Sequence, residues 1–579
     1  MPLLLAGTFL ILLMVIGGAS ILLLTFPGKK PVKVKANTVL RLNVGGLIPE
    51  YEPPSPFQAF MEKQPVHFHA LVRGIERAAS DPKVEGILLQ LGPSNLGWAQ
   101  AEEMRDVLAA FRAKGKWIVA FGELWQEREY YLASAADEIY MVPEGVLLLD
   151  GFMSRTSFYA ELLEKFGVRV HVEAFGEYKS FADAYRRTEM SEANRVAMTA
   201  LLEGLESTFL DAVHDGRGIE VEDLRGMINT GIFDPTTGVA EGLLDGLRYQ
   251  DEVETGLAEK LGLNDDARPH FVSAGSYALS NGVLGFGGGP SIAVIYARGS
   301  IQSGSQRKGF FGDDVVASAD FIRQLEAARE NDNVKAIVLR VDSPGGSHLA
   351  SDVMWREIQR TRTEFKKPVI ASMGTVAASG GYYMAMACDE IVAQPTTITG
   401  SIGVVTMRVD FQQLYEKILV NVEVLKTADS ADFFDPHRPL TDAEIEGFRT
   451  RTRQAYESFV QKAADSRKQM FDTLEPNARG RVWLGRDAQE RQLVDHLGGL
   501  DRAVEIAADK AGLDSYAVIN YPLQDDYWSF LQGQGVQTRA QVFRDILPRE
   551  VRLVWDLFAG KTDGQWQTLA LMPFQVDIQ

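Results

Sequence analysis

The chain repeats itself at an interval of about 250 residues, and this repeat restricts the possible fold more than any other feature. Residues 130–139 resemble residues 382–391, because both begin with two tyrosines and end in Asp-Glu-Ile, at an offset of 383 − 131 = 252. Further segments recur in the same order at similar offsets: 39–46 with 292–299, 81–89 with 331–339, and 162–173 with 413–423. Several matches in one order indicate a duplicated domain.

Within each unit, short β-branched runs alternate with segments of helical periodicity. In the second unit, residues 336–341, 368–373 and 390–393 have the pattern of buried strands, whereas 351–365 and 379–387 have that of helices. This alternation is typical of a mainly parallel sheet with right-handed crossovers. The sequence therefore predicts a tandem α/β protein with these boundaries: an anchor at 1–27, units at 28–280 and 281–522, and a C-terminal extension at 523–579.

The amino-terminal segment has the composition of a membrane anchor. Residues 2–26 carry no charged side chain, and about 20 apolar residues are enough to cross a bilayer. No small-residue cleavage motif follows, so an uncleaved transmembrane helix is expected. The basic residues lie after the run, a pattern that by the positive-inside rule would keep the bulk of the chain in the cytoplasm. The net charge of −19 argues against a nucleic-acid partner.

One hydroxyl distinguishes the second unit from the first. Ser379 follows a predicted strand and opens a predicted helix, whereas the first unit has Glu127 at this position, since 379 − 252 = 127. Residues 342–347 form an Asp-Ser-Pro-Gly-Gly-Ser turn after another strand, and the first unit lacks its adjacent glycines. Such a turn can aim backbone N–H groups at a developing oxyanion. Ser379 is thus a candidate nucleophile, with a helix N-cap serine as the alternative.

A serine nucleophile needs a base, and the sequence offers two kinds. His348 is the histidine nearest the Gly-Gly turn. A buried lysine is the other possibility, because burial lowers the pKa of its amine. Lys179 of the first unit aligns with Asp429 of the second, so this lysine is also confined to one unit. A surface role for Lys179 stays open at this point.

The segments 342–346, 377–383 and 399–403 together resemble the signal peptide peptidase A family, the long-form protease IV of bacteria, and the resemblance extends over nearly the whole chain. It implies a crotonase-like or Clp-protease-like α/β fold and a serine endopeptidase with a serine–lysine dyad. No cofactor or metal is expected. The resemblance assigns the following roles: nucleophile Ser379, general base Lys179, a second hydroxyl on the lysine amine from Ser401, and oxyanion-hole N–H groups from Gly346 and Gly380.

The resemblance also implies a setting. The expected substrates are remnant signal peptides and other apolar peptides, and the expected assembly is a homotetramer. The expected location is the inner membrane, crossed once, with the catalytic region on the periplasmic side. Two other functions compete with this one: a crotonase-type acyl-CoA enzyme, which needs only the oxyanion-binding N–H groups, and a non-catalytic membrane-anchored scaffold.

Overall fold

The computed structural model describes residues 33–51, 66–231, 234–264, 267–280, 289–305, 315–522 and 569–571. The strands of the first unit are β1 (Thr38–Gly46), β2 (Val84–Ser94), β3 (Trp117–Trp125), β4 (Glu138–Leu147), β5 (Arg169–Phe175), β6 (Gly246–Leu247) and β7 (His270–Ser273). Its helices are α1 (Phe68–Ser80), α2 (Trp98–Ala113), α3 (Glu127–Ala133), α4 (Ala160–Phe166), α5 (Asp183–Arg186), α6 (Glu192–Arg217), α7 (Val221–Thr230), α8 (Pro235–Ala240), α9 (Gln250–Lys260) and α10 (Ala274–Ser280).

The second unit follows the same plan. Its strands are β8 (Ser291–Arg298), β9 (Ser300–Gln302), β10 (Val315–Ala317), β11 (Val334–Ser343), β12 (Gly345–Ser347), β13 (Val369–Ala378), β14 (Glu390–Ala393), β15 (Ile398–Gly400), β16 (Val404–Asp410), β17 (Val482–Leu484), β18 (His496–Leu497) and β19 (Ala517–Tyr521). Its helices are α11 (Ser318–Glu330), α12 (His348–Thr363), α13 (Gly380–Ala385), α14 (Gln412–Lys417), α15 (Asp442–Ser466), α16 (Phe471–Leu474), α17 (Gly485–Glu490) and α18 (Leu500–Ala511). A further strand, β20 (Leu569–Leu571), belongs to the C-terminal extension.

Each unit is built on a parallel sheet. The first has the order β6-β4-β3-β2-β1-β7, and the second has the equivalent order β18-β14-β13-β11-β8-β19, with every neighbouring pair parallel. The first strands of the two sheets start 291 − 38 = 253 residues apart, and the last strands 517 − 270 = 247. The prediction of a tandem α/β protein is confirmed.

The central strands are buried on both faces. In β11, residues 336–341 are all buried, so the strand consists mainly of apolar side chains without alternation. The predicted strands at 336–341, 368–373 and 390–393 correspond to β11, β13 and β14. The helix predicted at 379–387 is shorter, ending at Ala385.

The two units share a core and a buried ionic junction. The apolar core of the first unit includes Ala378 and Leu484 of the second. Arg340 of β11 is buried, and its guanidinium contacts Glu50 at 2.6 Å and Glu103 of α2 at 3.0 Å. Because both carboxylates come from the first unit, this cluster fixes one unit against the other.

Strand pairing also joins the two units. Strand β5 of the first unit pairs antiparallel with β16 of the second, with residues 169–175 opposite residues 410–404. Residues 176–180 follow β5 directly, so this pairing brings them against the second unit.

The predicted anchor at 1–27 lies outside the described residues, as does most of the extension at 523–579. Within the residues that the structure describes, no helix has both the length and the apolar composition that a membrane crossing requires.

Candidate active site

Ser379 lies at the junction of β13 and α13 in a backbone conformation that is unusual for a serine. Its φ and ψ are 57° and −113°, a sparsely populated combination that costs about 1–3 kcal/mol. The peptide N–H of Ser379 donates to the carbonyl of Gly400 at 2.8 Å, which holds the turn in place. Ser379 occupies the N-cap position of α13, but its hydroxyl makes no capping bond to the described start of that helix. The hydroxyl is therefore available for another partner.

That partner is Lys179 of the first unit. Its Nζ lies 2.7 Å from Oγ of Ser379, and both residues belong to the same chain. The same Nζ lies 3.0 Å from Oγ of Ser401 and 3.0 Å from the carbonyl oxygen of Ser401. The structure thus brings together Ser379, Lys179 and Ser401, three residues separated by up to 222 positions in sequence.

The surroundings of Lys179 favour an uncharged amine. The residue is 1% exposed, and burial lowers its pKa well below the ordinary value of 10.5. No carboxylate among the described residues forms an ion pair with it, so nothing there offsets the cost of burying a charge. A neutral amine has two N–H donors and one lone pair. Two donors suit the two oxygens of Ser401, which leaves the lone pair for the Ser379 hydroxyl.

A tight loop in the second unit holds Lys179 in position. The peptide N–H of Tyr178 donates to the carbonyl oxygen of Arg479 at 2.9 Å, and that of Ser401 donates to the carbonyl oxygen of Arg481 at 2.6 Å. Between them, Gly480 has φ +76°, and a Cβ placed there would lie 2.7 Å from the backbone N of Lys179. Only glycine allows this approach, so Gly480 lets the 479–481 loop hold the backbone on both sides of the lysine amine.

Sequence reasoning missed this loop. An Arg-Gly-Arg run at 479–481 was its only signal, and such a run is common in surface turns. The role of Gly480 depends on a contact with the other unit, which no local pattern records.

The Gly-Gly turn packs directly against the serine turn. Ser343 donates its hydroxyl to the carbonyl of Gly299 at 2.6 Å and accepts from the N–H of Gly345 at 3.2 Å. A Cβ at Gly346 would lie 2.1 Å from the carbonyl oxygen of Ile301, and one at Gly380 would lie 3.1 Å from Cα of Gly345. The sites predicted for oxyanion donors, Gly346 and Gly380, therefore belong to two adjoining turns. As the first residue of α13, Gly380 has an N–H without an intrahelical acceptor.

The equivalent place in the first unit has a structural carboxylate. Glu127 begins α3 after β3, as the Ser379 turn follows β13, and it is buried. It accepts hydrogen bonds from the N–H groups of Asp150 and Gly151 at 2.8 Å each. Burial raises the pKa of this carboxyl group despite those bonds. At this place the first unit thus has a carboxylate instead of a hydroxyl, and the nearby N–H groups of Asp150 and Gly151 are already bonded to it.

His348, the other candidate base, lies elsewhere. Its ring packs edge-on against Tyr383, with centroids 5.4 Å apart, and burial lowers its pKa. Among the described residues, no hydrogen bond joins it to Ser379, whose hydroxyl faces Lys179 instead.

The chain is similar to several known peptidases. The model of peptidase family S49 matches residues 110–264 and 361–514, one segment in each unit. The chain is 40% identical over 440 residues to "Serine protease SPPA, chloroplastic" of Arabidopsis thaliana, which covers 76% of this chain and 64% of that protein, slightly under two thirds. It is 34% identical over 463 residues to Protease 4 of Salmonella typhi, covering 78% of this chain and 73% of that protein.

Similarity to solved structures is weaker. A mutant ClpP1 of Listeria monocytogenes matches at 15% identity with a TM-score of 0.24, covering 36% of this chain and 92% of that one. At that TM-score the crotonase-like or Clp-protease-like fold stays a prediction.

Proposed function

The chain belongs to peptidase family S49, and from that premise we propose that it is a serine endopeptidase whose nucleophile Ser379 is activated by Lys179. The observation that carries the proposal is the distance of 2.7 Å between the two side chains, in a site where the lysine has no charged partner among the described residues. A neutral amine next to a hydroxyl is the arrangement that a general base requires.

The proposed reaction begins when Ser379 attacks the carbonyl carbon of a peptide bond. Lys179 takes the hydroxyl proton through its lone pair while the oxygens of Ser401 hold its two N–H groups. N–H groups of Gly346 and Gly380 stabilise the oxyanion. The ammonium then gives its proton to the leaving amine, and an acyl-enzyme is left on Ser379. Water attacks the ester with Lys179 again acting as base, which frees the serine.

The strained conformation of Ser379 supports this role. A turn at φ 57° and ψ −113° brings a side chain out between a strand and a helix, as in other nucleophile turns. A serine that only capped α13 would not need this conformation, and its hydroxyl would face the helix N–H groups instead of Lys179.

Both alternatives explain less of the site. An acyl-CoA enzyme would use the glycine turns but has no need of a buried lysine on a serine. A scaffold would have no reason to keep an uncompensated buried amine, which costs stability. We therefore rank the peptidase above both alternatives.

For substrate and location, we propose remnant signal peptides and other apolar peptides, with residues 1–27 as a single inner-membrane anchor and the catalytic region on the periplasmic side. The uncharged run at 2–26 supports the anchor. The name of the chloroplast relative gives only "serine protease", so the substrate class rests on the family resemblance.

For assembly, we propose a homotetramer, and the repeat supports a specific contact between copies. Within one chain, 169–175 of the first unit pair with 404–410 of the second. The equivalent partners, 419–425 in the second unit and 152–158 in the first, lie outside regular structure. Leu419 and Leu425 are 88% and 94% exposed. Pairing these segments between copies would repeat the internal contact, and such head-to-tail contacts form a ring when the rotation between copies closes.

The test is hydrolysis of an apolar peptide ester by the wild-type protein, the Ser379→Ala variant and the Lys179→Ala variant. Each substitution is expected to lower kcat/KM by about 10⁴-fold or more, because residues that act as a unit fail together. The Lys114→Ala variant, which removes an exposed lysine, is the matched control and should behave as wild type.

Other results would reassign the function. An active Lys179→Ala variant beside an inactive Ser379→Ala variant would place the base elsewhere. Thioester hydrolysis without peptide or peptide-ester hydrolysis would favour the acyl-CoA enzyme, and a fully inactive wild type would favour the scaffold. Mixing the two inactive variants should restore nothing, since Ser379 and Lys179 meet within one chain.

A further inference from the structure

Helices α12 and α13 begin at the two parts of the candidate site. Helix α12 begins directly after β12, the strand of the Gly-Gly turn, and α13 begins directly after Ser379. The two starts are in contact, because a Cβ at Gly380 would lie 2.7 Å from Oγ of Ser351 in α12 and 3.1 Å from Cα of Gly345. The position of α13 relative to α12 therefore sets the distance between the Ser379 hydroxyl and the proposed oxyanion donor Gly346.

Tyr383 connects these two helices. Its peptide N–H donates to the carbonyl oxygen of Ser379 at 2.8 Å, and its hydroxyl donates to Oδ1 of Asp352 in α12 at 2.8 Å. The side chain is fully buried and packs on Phe459 of α15, with ring centroids 4.5 Å apart. Because Tyr383 is bonded at its backbone and at its hydroxyl, it restricts how far the Ser379 turn can move from α12.

Lys462 of α15 holds the carboxylate that accepts this bond. Its ammonium forms an ion pair with Oδ1 of Asp352, the same oxygen that accepts from Tyr383, and lies 4.2 Å from the ring centroid of Trp355. A hydroxyl that donates to an ionised acceptor makes a stronger bond than one that donates to a neutral acceptor. The ion pair thus keeps the carboxylate charged and within reach of the tyrosine.

The first unit keeps the tyrosine and its packing. The offset of 252 residues places Tyr131 at the position equivalent to Tyr383. Each tyrosine packs against the first residue of the neighbouring helix: Tyr131 against Trp98 with centroids 5.5 Å apart, and Tyr383 against His348 with centroids 5.4 Å apart. The two units therefore share the apolar part of this arrangement.

The polar part occurs only in the second unit. Helices α2 and α12 both have 16 residues at an offset of 348 − 98 = 250, so Glu102 is the equivalent of Asp352. Glu102 accepts from Thr396 across the unit junction, and within the described part of the first unit no hydrogen bond joins it to the tyrosine. Ala212 is the equivalent of Lys462, since 462 − 250 = 212. The bonded acid, tyrosine and lysine thus belong to the unit that contains the candidate nucleophile.

We propose that Asp352 is a positioning residue: through Tyr383 it holds the Ser379 turn against the Gly-Gly turn, so that one tetrahedral adduct can be bonded to the serine and to the oxyanion donors at once. This inference rests on the proposed peptidase function and adds to it a residue that acts without touching substrate. The competing interpretation is that the bond only stabilises the packing of α12, α13 and α15. A bond with that role alone would leave the rate of the folded enzyme unchanged.

Substitutions at both ends of the bond test the role. Tyr383→Phe removes the hydroxyl and keeps the ring, and it should lower kcat/KM for an apolar peptide ester by about 10-fold or more, as for one hydrogen bond to a charged group. Asp352→Ala should give the same loss. Asp352→Asn keeps an oxygen acceptor for the hydroxyl and should lose no more than about threefold. The double variant Tyr383→Phe/Asp352→Ala should be no slower than the slower single variant, because both changes remove one interaction.

Tyr130→Phe is the matched control for lost stability. Tyr130 is fully buried in α3, and its hydroxyl donates to the carbonyl oxygen of Leu243 at 2.8 Å. This variant loses a tyrosine hydrogen bond of the same length in the unit without a candidate nucleophile. Its melting temperature should fall like that of Tyr383→Phe, whereas its kcat/KM should match the wild type.

A peptide aldehyde provides a readout that packing alone would not change. The serine oxygen bonds the aldehyde carbon, the carbonyl π pair becomes the oxyanion, and the serine proton passes to Lys179, so the adduct resembles the tetrahedral intermediate. The inhibition constant should rise about 10-fold in Tyr383→Phe. The corresponding peptide alcohol, which forms no such bond, should bind the variant and the wild type equally.

The possible outcomes separate this role from the proposed function. An active wild type beside a folded Tyr383→Phe variant with unchanged kcat/KM and unchanged aldehyde inhibition would overturn the positioning role alone. Equal losses of activity in Tyr130→Phe and Tyr383→Phe would also overturn it, since they would show a general effect of stability. A wild type that neither hydrolyses the ester nor binds the aldehyde would overturn the peptidase function and this role with it.

Discussion

At the scale of single residues, the site depends on a lysine that is buried without a counter-ion among the described residues. Burial alone lowers the pKa of Lys179, since no described acid compensates its charge. A buried ammonium would be costly, whereas a neutral amine with three oxygen neighbours is satisfied. The local chemistry thus selects the protonation state that the proposed reaction needs.

The lowered pKa predicts the pH dependence of activity. Below the pKa of Lys179 the amine is protonated and cannot act as a base, so kcat/KM should fall about tenfold per pH unit there. Above it the rate should be constant, and this plateau should begin well below pH 10.5. The measurement is kcat/KM for a peptide ester against pH, with circular dichroism at each pH to verify folding. A rate that still rises up to pH 10.5 would contradict the prediction.

Gly480 offers a test of positioning. Gly480→Ala would put a Cβ 2.7 Å from the backbone of Lys179, at a φ of +76°. Displacement of the amine by about 1 Å should lower kcat by about 100-fold with little change in KM. Gly512→Ala is the matched control, because Gly512 has φ +65° with nothing within 4 Å of its Cβ position. Equal loss of activity in both variants would show a general backbone effect instead of a role at the site.

The sequence predicts these residues to different degrees. Ser379 could be found because a repeat without it lies 252 residues upstream, and a mismatch between copies is visible in one sequence. The repeat singles out Lys179, because Asp429 stands at its place in the second unit, but its role as a base comes only from family resemblance, since its partner lies 200 positions away. Gly480 could not be found, since its glycine is required by a contact between units.

At the scale of elements, alternating sequence patterns predict the parallel strands but not the strand pairing between the two units. β11, β13 and β14 are local apolar runs and were predictable. The pairing of β5 with β16 was not predictable. Strand β5 is only half-buried and includes the polar residues His171 and Glu173, so its sequence does not distinguish it from a surface strand. The same holds for β20, a three-residue strand that only its partners define.

The junction of α2 with the second unit predicts a pH-dependent stability. Glu102 accepts from the N–H and hydroxyl of Thr396 at 2.9 and 2.6 Å, and burial raises its pKa from 4.5 to about 7. Between these values the folded state holds a proton that the unfolded state releases, so stability falls as pH rises from 4.5 through 7. Glu102→Gln stays neutral and should be more stable than the wild type by up to about 3 kcal/mol at pH 8.

The measurement is the melting temperature of both proteins at pH 5 and pH 8. The difference should be small at pH 5 and should favour Glu102→Gln at pH 8. Glu161→Gln, which changes an exposed residue of α4, should follow the wild type at both values. A wild type as stable as Glu102→Gln at pH 8 would contradict the raised pKa.

At the scale of the whole molecule, duplication separates two tasks. One unit supplies Lys179 and the other supplies Ser379 and the glycine turns, so the candidate site exists only where the units meet. The shared core and the buried Arg340 cluster keep that junction closed. The first unit has Glu127 where the second has the proposed nucleophile, so it is free to support the site and to supply the proposed base.

The same duplication predicts how copies associate. If residues 419–425 of one copy pair with residues 152–158 of the next, added charges in the first segment should break the assembly without affecting the site. The Leu419→Lys/Leu425→Lys variant should therefore elute as a smaller species than the wild type, with its mass measured by light scattering. Both side chains are almost fully exposed in a single chain, so folding should not suffer.

The activity per chain separates this prediction from a loss of folding. Because Lys179 and Ser379 lie in one chain, the dissociated variant should keep its rate on a small ester. Met470→Lys, a change at an apolar residue that is 75% exposed outside the segment, should leave the assembly intact. A monomeric wild type, or a double variant of unchanged mass, would contradict strand pairing between copies. The exposed leucines would then need another partner, because apolar surface of this kind is costly to leave in water.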